Sequence, residues 1–174
     1  MTTLEDSPAV EEAPKTRARQ GKYLTFMLRE ESYGLAVLKV REIIRMQEIT
    51  PVPKMPNYLK GIINLRGKII SVLDLRIKFA LPNQDLTDTA CIIVVQTTTK
   101  RGISSQMGII VDAVEEVANI SAEDLEDAPE FGSAIHSGYI YGIAKVKGVV
   151  KTLLDIDSIL DSDHFEEQNA YLEL

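Results

Sequence analysis

Gly61–Leu75 reads GIINLRGKIISVLDL, and Gly142–Ile156 reads GIAKVKGVVKTLLDI. The two stretches agree at almost every apolar position. Each carries a glycine and then an aspartate at the same places: Gly67 and Asp74, then Gly148 and Asp155. A glycine between two Ile/Val/Leu runs marks a tight hairpin turn, because it takes positive φ without a Cβ clash. An aspartate that closes such a run ahead of a short helical stretch is an N-cap. Upstream the pattern repeats again: Gly34 is followed by Val40 and Glu42, and Gly108 by Val114 and Glu116. Four anchors recurring in one order make an internal duplication. The first anchors are 74 residues apart (34 to 108) and the second 81 (61 to 142), so the later copy holds seven more residues. They are placed in the polar stretch Glu123–Gly138, around Pro129.

Around these anchors the chain is a series of short apolar runs broken by Gly, Pro, Asn and Asp. LTFML, YGLAV, GIINL, KIISVL, CIIVVQ, MGIIV, GIAKV and VVKTLL are strand-length and rich in Val and Ile. Helical signals are confined to Asp74–Phe79, Ala122–Leu125 and Asp155–Leu160. The protein is therefore mainly β, with short helices after Asp74 and Asp155. Each copy reads strand, kinked strand, loop, strand, tight turn, strand, short helix. So small a sheet exposes its edges unless it curls closed. Two barrels packed together share a core that one copy alone would lack. We assign residues 1–20 to a disordered polar tail, 21–161 to the folded domain and 162–174 to an acidic tail. The sub-barrels fall at about 21–82 and 89–161, with exchange of strands between them left open.

Composition excludes several classes of function. A net charge of -7 opposes binding to phosphate backbones, and the absence of Trp leaves few stacking platforms for bases. No run of about 18 apolar residues offers a membrane span, and residues 1–20 lack a signal-peptide pattern. With Cys91 the single cysteine there is no internal disulfide, as in a reducing cytoplasm.

Nor does a catalytic constellation emerge. His136 and His164 have no second ligand at metal spacing, and Cys91 opens an apolar run as a small buried residue. No phosphate-binding loop or nucleophile elbow occurs. The acidic pairs Glu115–Glu116, Asp155 with Asp157, and Asp161 with Asp163 read as solvated faces. We expect no enzyme, no cofactor and no metal.

Three strings carry a resemblance to a known family. NLRGKIISVLDLRIKF (Asn64–Phe79), YGLAVLKVREII (Tyr33–Ile44) and APEFGSAIHSGYIYGIAK (Ala128–Lys145) resemble the markers of the CheW family of chemotaxis coupling proteins. The resemblance spans about Gly21–Leu160. It implies a fold of two five-stranded SH3-like barrels. The same domain ends the kinase CheA and begins the adaptor CheV. The 174 residues here hold neither kinase domains nor a receiver, which points to the stand-alone adaptor.

What the resemblance implies is a non-enzymatic scaffold, cytoplasmic and placed at receptor arrays on the inner face of the membrane. Its partners are the histidine kinase CheA, through that kinase's CheW-like regulatory domain, and the cytoplasmic tip of chemoreceptors. It is monomeric alone and assembles in arrays, with no nucleic acid bound and no membrane insertion. A generic SH3-like module of another two-component signalling complex is the alternative. For the receptor, the family points to a groove between the barrels, matched here by Val37, Val40, Ile43 and Ile44, with Gly61 and Asn64 near its rim. The four apolar residues are equally readable as core. Glu42 and Arg66, positions that matter for signalling in the family, are expected to form a cross-strand ion pair, with Glu116 and Lys147 at the matching places. Kinase contacts are assigned to an apolar edge near Leu73, Ile77 and Phe79.

Overall fold

The computed structural model describes residues 18–82, 85–127 and 137–160. The first copy supplies β1 (Gly21–Leu28), β2 (Glu31–Ala36), β3 (Val40–Arg45), β4 (Leu59–Leu65), β5 (Lys68–Asp74) and α1 (Leu75–Lys78). The second supplies β6 (Cys91–Thr98), β7 (Ser104–Val111), β8 (Ala113–Ile120), β9 (Leu125–Glu126), β10 (Ile140–Val146), β11 (Val149–Leu154) and α2 (Ile156–Leu160). All eight apolar runs are strands, and both aspartates cap helices. Asp74 accepts from the Arg76 amide at 2.9 Å, and Asp155 from the Ser158 amide at 3.2 Å. The hairpin turns follow as expected. Arg66 and Gly67 both have positive φ (52° and 86°), as do Lys147 and Gly148 (52° and 80°). That is the twist that suits a two-residue connection. The Asn64 carboxamide oxygen accepts from the Gly67 amide at 2.8 Å and fixes the first turn.

The strands do not stay with their own copy. One sheet runs β3-β6-β7-β5-β4 and the other β8-β1-β2-β11-β10-β9. We call these barrel I and barrel II. Each takes its first hairpin from one copy and the remaining strands from the other, so the division at 21–82 and 89–161 becomes an exchange of hairpins β1–β2 and β6–β7. The joins are parallel pairings, β5 with β7 and β2 with β11. Both barrels close by bending the third strand around to the fourth. Thr50 bridges Ile62 in barrel I, and β9, the continuation of β8, pairs with β10 in barrel II. Gly61 makes the first closure possible: a Cβ there would lie 2.0 Å from the Thr50 carbonyl oxygen, and its φ is 144°.

Because the exchanged strands have a barrel on one face and the other barrel's strands on the other, both faces are buried. This explains why CIIVVQ and MGIIV are continuous rather than alternating. Ile63, Ile70, Val72, Ile92, Val94 and Ile110 fill barrel I. Tyr23, Ala118, Ile120, Leu125, Ala144 and Leu153 line barrel II, and Ala18 is buried with them. The packed structure thus reaches back into the stretch assigned to the N-terminal tail. Between the barrels lies the largest cluster, which includes Phe26, Leu35, Leu73, Phe79, Ile93 and Ile109. Residues 1–17, the acidic C-terminal tail, Pro129, His136, His164, Asp161 and Asp163 lie outside the described residues.

Candidate interaction site

The site is built where β2 leaves barrel II and β3 enters barrel I. Val37–Lys39 cross between them as a single 3₁₀ turn. Along β3, Val40 faces Val95 and Ile43 faces Ile93, both members of the shared cluster. Val37 and Val40 pack partly onto that cluster, while Ile43 stays 46% exposed. These three therefore form a continuous apolar margin of the inter-barrel layer. Ile44 does not join them. It pairs with Ile92 and packs with Met46, Ile49 and Leu65 against the barrel I core, so it lies on the other face of β3 from Val40 and Ile43. Gly61 and Asn64 also prove structural in part, one closing the barrel seam and the other holding the turn.

Glu42 and Arg66 meet. They form a hydrogen-bonded ion pair between β3 and the β4–β5 turn, with Glu42 on the face of β3 that it shares with Ile44, opposite to that of Val40 and Ile43. The matching pair also forms: Lys147 Nζ lies 3.5 Å from the Glu116 carboxylate in barrel II. The expected cross-strand pairing is present in both copies, with the lysine version longer.

Sequence reasoning passed over Leu38. It is 90% exposed at the tip of the crossover, the most solvent-facing large apolar side chain of the described residues. With Val37 it borders a groove of about 490 Å³ beside Tyr23, Ala36 and Tyr141. The signal was the run VLKV, where three apolar residues fall too close together for a strand to bury them all. Lys39, next in the chain, is held to Asp157 of α2 at 2.6 Å.

The apolar edge assigned to the kinase is corrected. Leu73 and Phe79 are each 1% exposed in the shared core, Phe79 lying tilted against Tyr33 and stacked on Tyr139 with centroids at 6.0 and 6.3 Å. Ile77 alone of the three keeps some surface. Nor are the acidic pairs simply solvated. Glu115 meets buried Lys151 at 3.3 Å, Glu116 meets Lys147, and Asp157 meets Lys39. A further ionic group is internal: Arg76, 6% exposed, reaches Asp74 at 2.9 Å and Asp112 at 3.2 Å. The second of these ties α1 to the end of β7. Cys91 is half-buried, and burial raises its thiol pKa.

Among the described residues no group of three or more His, Cys, Asp or Glu side chains could hold a metal, and no helix is long and apolar enough to cross a membrane. What the geometry offers is a pair of strand-exchanged barrels with an apolar margin, an exposed leucine and an ion pair at one crossover. These are the parts of a protein-interaction scaffold. The CheW-like domain model matches residues 22–164. The "Chemotaxis protein CheW" of Klebsiella aerogenes is 33% identical over 142 residues, covering 82% of each chain, and that of Bacillus subtilis is 32% identical over 142 residues, covering 82% of this chain and 88% of that one. The crystal structure of the scaffolding protein TtCheW from Thermoanaerobacter tengcongensis superimposes with a TM-score of 0.73 at 33% identity, over 83% of this chain and 94% of that one. The chain belongs to the CheW family of chemotaxis scaffold proteins.

Proposed function

We propose that this chain is the non-enzymatic adaptor that couples methyl-accepting chemoreceptors to the histidine kinase CheA. In this role it supports kinase activation and array assembly in the cytoplasm, at the inner face of the membrane. The observation that carries the receptor half is the β3 margin: Val37, Leu38, Val40 and Ile43 leave apolar surface along the crossover and β3, and Glu42 of the same strand pairs with Arg66. An amphipathic helical hairpin laid along such a margin buries its apolar face while its polar face stays wet. The acidic chain, net -7, accords with a protein that meets other proteins. For the kinase half, the support is the duplication itself. Two similar but unequal barrels give a molecule two different ends, and head-to-tail contact with a domain of the same kind then propagates or closes a ring. With Leu73 and Phe79 buried, the kinase contact is sought at the half-buried Ile77, the one of the three that keeps surface.

The test is a three-component reconstitution. Receptor and CheA are mixed with and without this protein, and kinase autophosphorylation is followed. Stimulation that depends on the protein is the expected result. No stimulation, together with no capture of either partner, overturns the reading.

A further inference from the structure

The two barrels differ inside, position for position. Val94 faces Gly108 in barrel I as Thr25 faces Gly34 in barrel II, and Val72 faces Gly108 as Leu153 faces Gly34. One pair further along, Ile63 faces Ile70 in barrel I, and Ala144 faces Lys151 in barrel II. Where barrel I has Val94, Ile63 and Ile70, barrel II therefore has Thr25, Ala144 and a lysine. Lys151 is 4% exposed, with Nζ 3.0 Å from the Ser32 hydroxyl and 3.3 Å from the Glu115 carboxylate. Glu115 is the residue skipped by the β1–β8 register shift, which turns its side chain to this lysine. In barrel I the skipped residue is Arg41, which stays exposed and donates to Gln96 at 2.6 Å. Lys151 is buried while the Glu115 side chain keeps about a third of its surface, at 30% exposed, so the ammonium loses its hydration for one partly solvated carboxylate and the pair closes a barrel less firmly than aliphatic packing. Alanines at core positions bury less apolar surface.

The crossovers are unequal in the same sense. Where β7 leaves barrel I, Asp112 is clamped by buried Arg76, by the Arg29 amide at 2.6 Å and by its own amide bonding to Met27. Where β2 leaves barrel II, Val37–Lys39 is held by the Lys39–Asp157 pair, whose side chains are 32% and 26% exposed. We propose that barrel II is the compliant half of the molecule, opening locally around Lys151, Glu115 and Ser32, and that the Val37–Lys39 crossover passes this opening to the β3 margin. Hairpin β1–β2 sits within barrel II and runs directly into that crossover, so the margin moves when the hairpin loosens. That the margin is where a receptor docks rests on the proposed function; the opening does not.

Residue-resolved hydrogen exchange on the full chain tests this without receptor or kinase, so it fails or succeeds apart from the adaptor reading. Amides of β10 and β11 are expected to exchange at least about tenfold faster than the matching amides of β4 and β5. Equal or slower exchange in barrel II overturns the proposal. A Lys151→Leu, Glu115→Leu, Ser32→Ala variant is expected to slow exchange in barrel II and at Val37–Val40 while leaving β4 and β5 unchanged. Slowing in barrel II with no change at Val37–Val40 overturns the transmission. Should that variant not fold, Leu153→Val is compared with its counterpart Val72→Ala. Faster exchange at Val37–Val40 in the first and not the second is expected, and the reverse overturns the proposal.

Discussion

Replacing Phe79 by alanine separates a core residue from a contact residue at a position where sequence suggested the contact. The ring is 1% exposed and sits in the shared cluster between Tyr33 and Tyr139. Deleting a buried phenyl ring costs about 3–5 kcal/mol, through lost transfer and the cavity left behind. The cavity would open at the layer joining the barrels, where exchanged strands from both copies meet and neither barrel can collapse independently to fill it. A small domain has about 5–15 kcal/mol in all, so the loss takes a large share. With a urea m-value of about 2 kcal/mol per molar, a loss of about 4 kcal/mol lowers the midpoint by about 2 M. Equilibrium urea unfolding, followed by far-ultraviolet circular dichroism, reads this directly. Ile77→Ala in the helix that Phe79 caps, at a half-buried site, is the comparison and is expected to lose about 1 kcal/mol. The burial reasoning is refuted if Phe79→Ala unfolds within about 1 kcal/mol of the parent while its capture by the kinase is abolished. That pattern belongs to a surface contact.

Gly34→Ala and Gly108→Ala place a Cβ 2.8 Å from a Leu153 methyl and 2.7 Å from an Ile92 methyl. Each is expected to destabilise by about 1–3 kcal/mol in the same unfolding assay, and an unchanged midpoint would contradict the close packing against β11 at Gly34 or against β6 at Gly108. Leu38→Asp, at a position 90% exposed, is expected to leave stability within about 0.5 kcal/mol and to abolish receptor capture; retained capture removes Leu38 from the site. Val40→Asp is expected to lose receptor capture while folding survives, and if it only unfolds the protein then Val40 belongs to the core. Glu42→Ala and Arg66→Ala are expected to be non-additive in receptor-dependent kinase stimulation, so that additive losses sink a functional role for the pair. Burial lowers the pKa of Lys78, whose ammonium lies 4.0 Å from the Tyr58 ring centroid. The unfolded chain then holds more protons between the two values, and stability rises with pH through that window below the ordinary lysine value. An NMR titration of the Lys78 side chain with its midpoint at or above that ordinary value would contradict this.

The duplication was legible because the same geometry makes the same demands twice. Gly34 and Gly108 lie under the last strand of the opposite copy, Gly67 and Gly148 turn the same hairpin, and Asp74 and Asp155 cap the same helix. The Glu42–Arg66 pair was legible for a related reason: its charges recur at matched places, as Glu116 and Lys147. The burial of Leu73 and Phe79 was not. In strands covered on both faces, alternation no longer marks a solvent side, and an apolar edge looks the same whether it meets a partner or the other barrel. Glu115 escaped notice because a register shift, not the strand period, turns it toward Lys151.

Strand exchange itself is invisible to apolar pattern, since hairpins β1–β2 and β6–β7 offer similar runs to either copy. Charge distinguishes them. In barrel I, Arg76 of α1 meets Asp112, four residues beyond Gly108; in barrel II, Asp157 at the matching place of α2 meets Lys39, five residues beyond Gly34. Both pairs are opposite in sign, and the two are reversed relative to each other. Were each hairpin returned to its own copy, Arg76 would lose Asp112 and Asp157 would lose Lys39, because the residues that match these partners by the Gly34–Gly108 spacing are Leu38 and Ala113. Arg76, 6% exposed, would then face a leucine in place of a carboxylate. A buried charge that loses a partner is destabilised, because its desolvation is left less compensated. The unexchanged arrangement is thus disfavoured at both crossovers, and the same choice of partners sets where the crossover bearing Val37 and Leu38 lies.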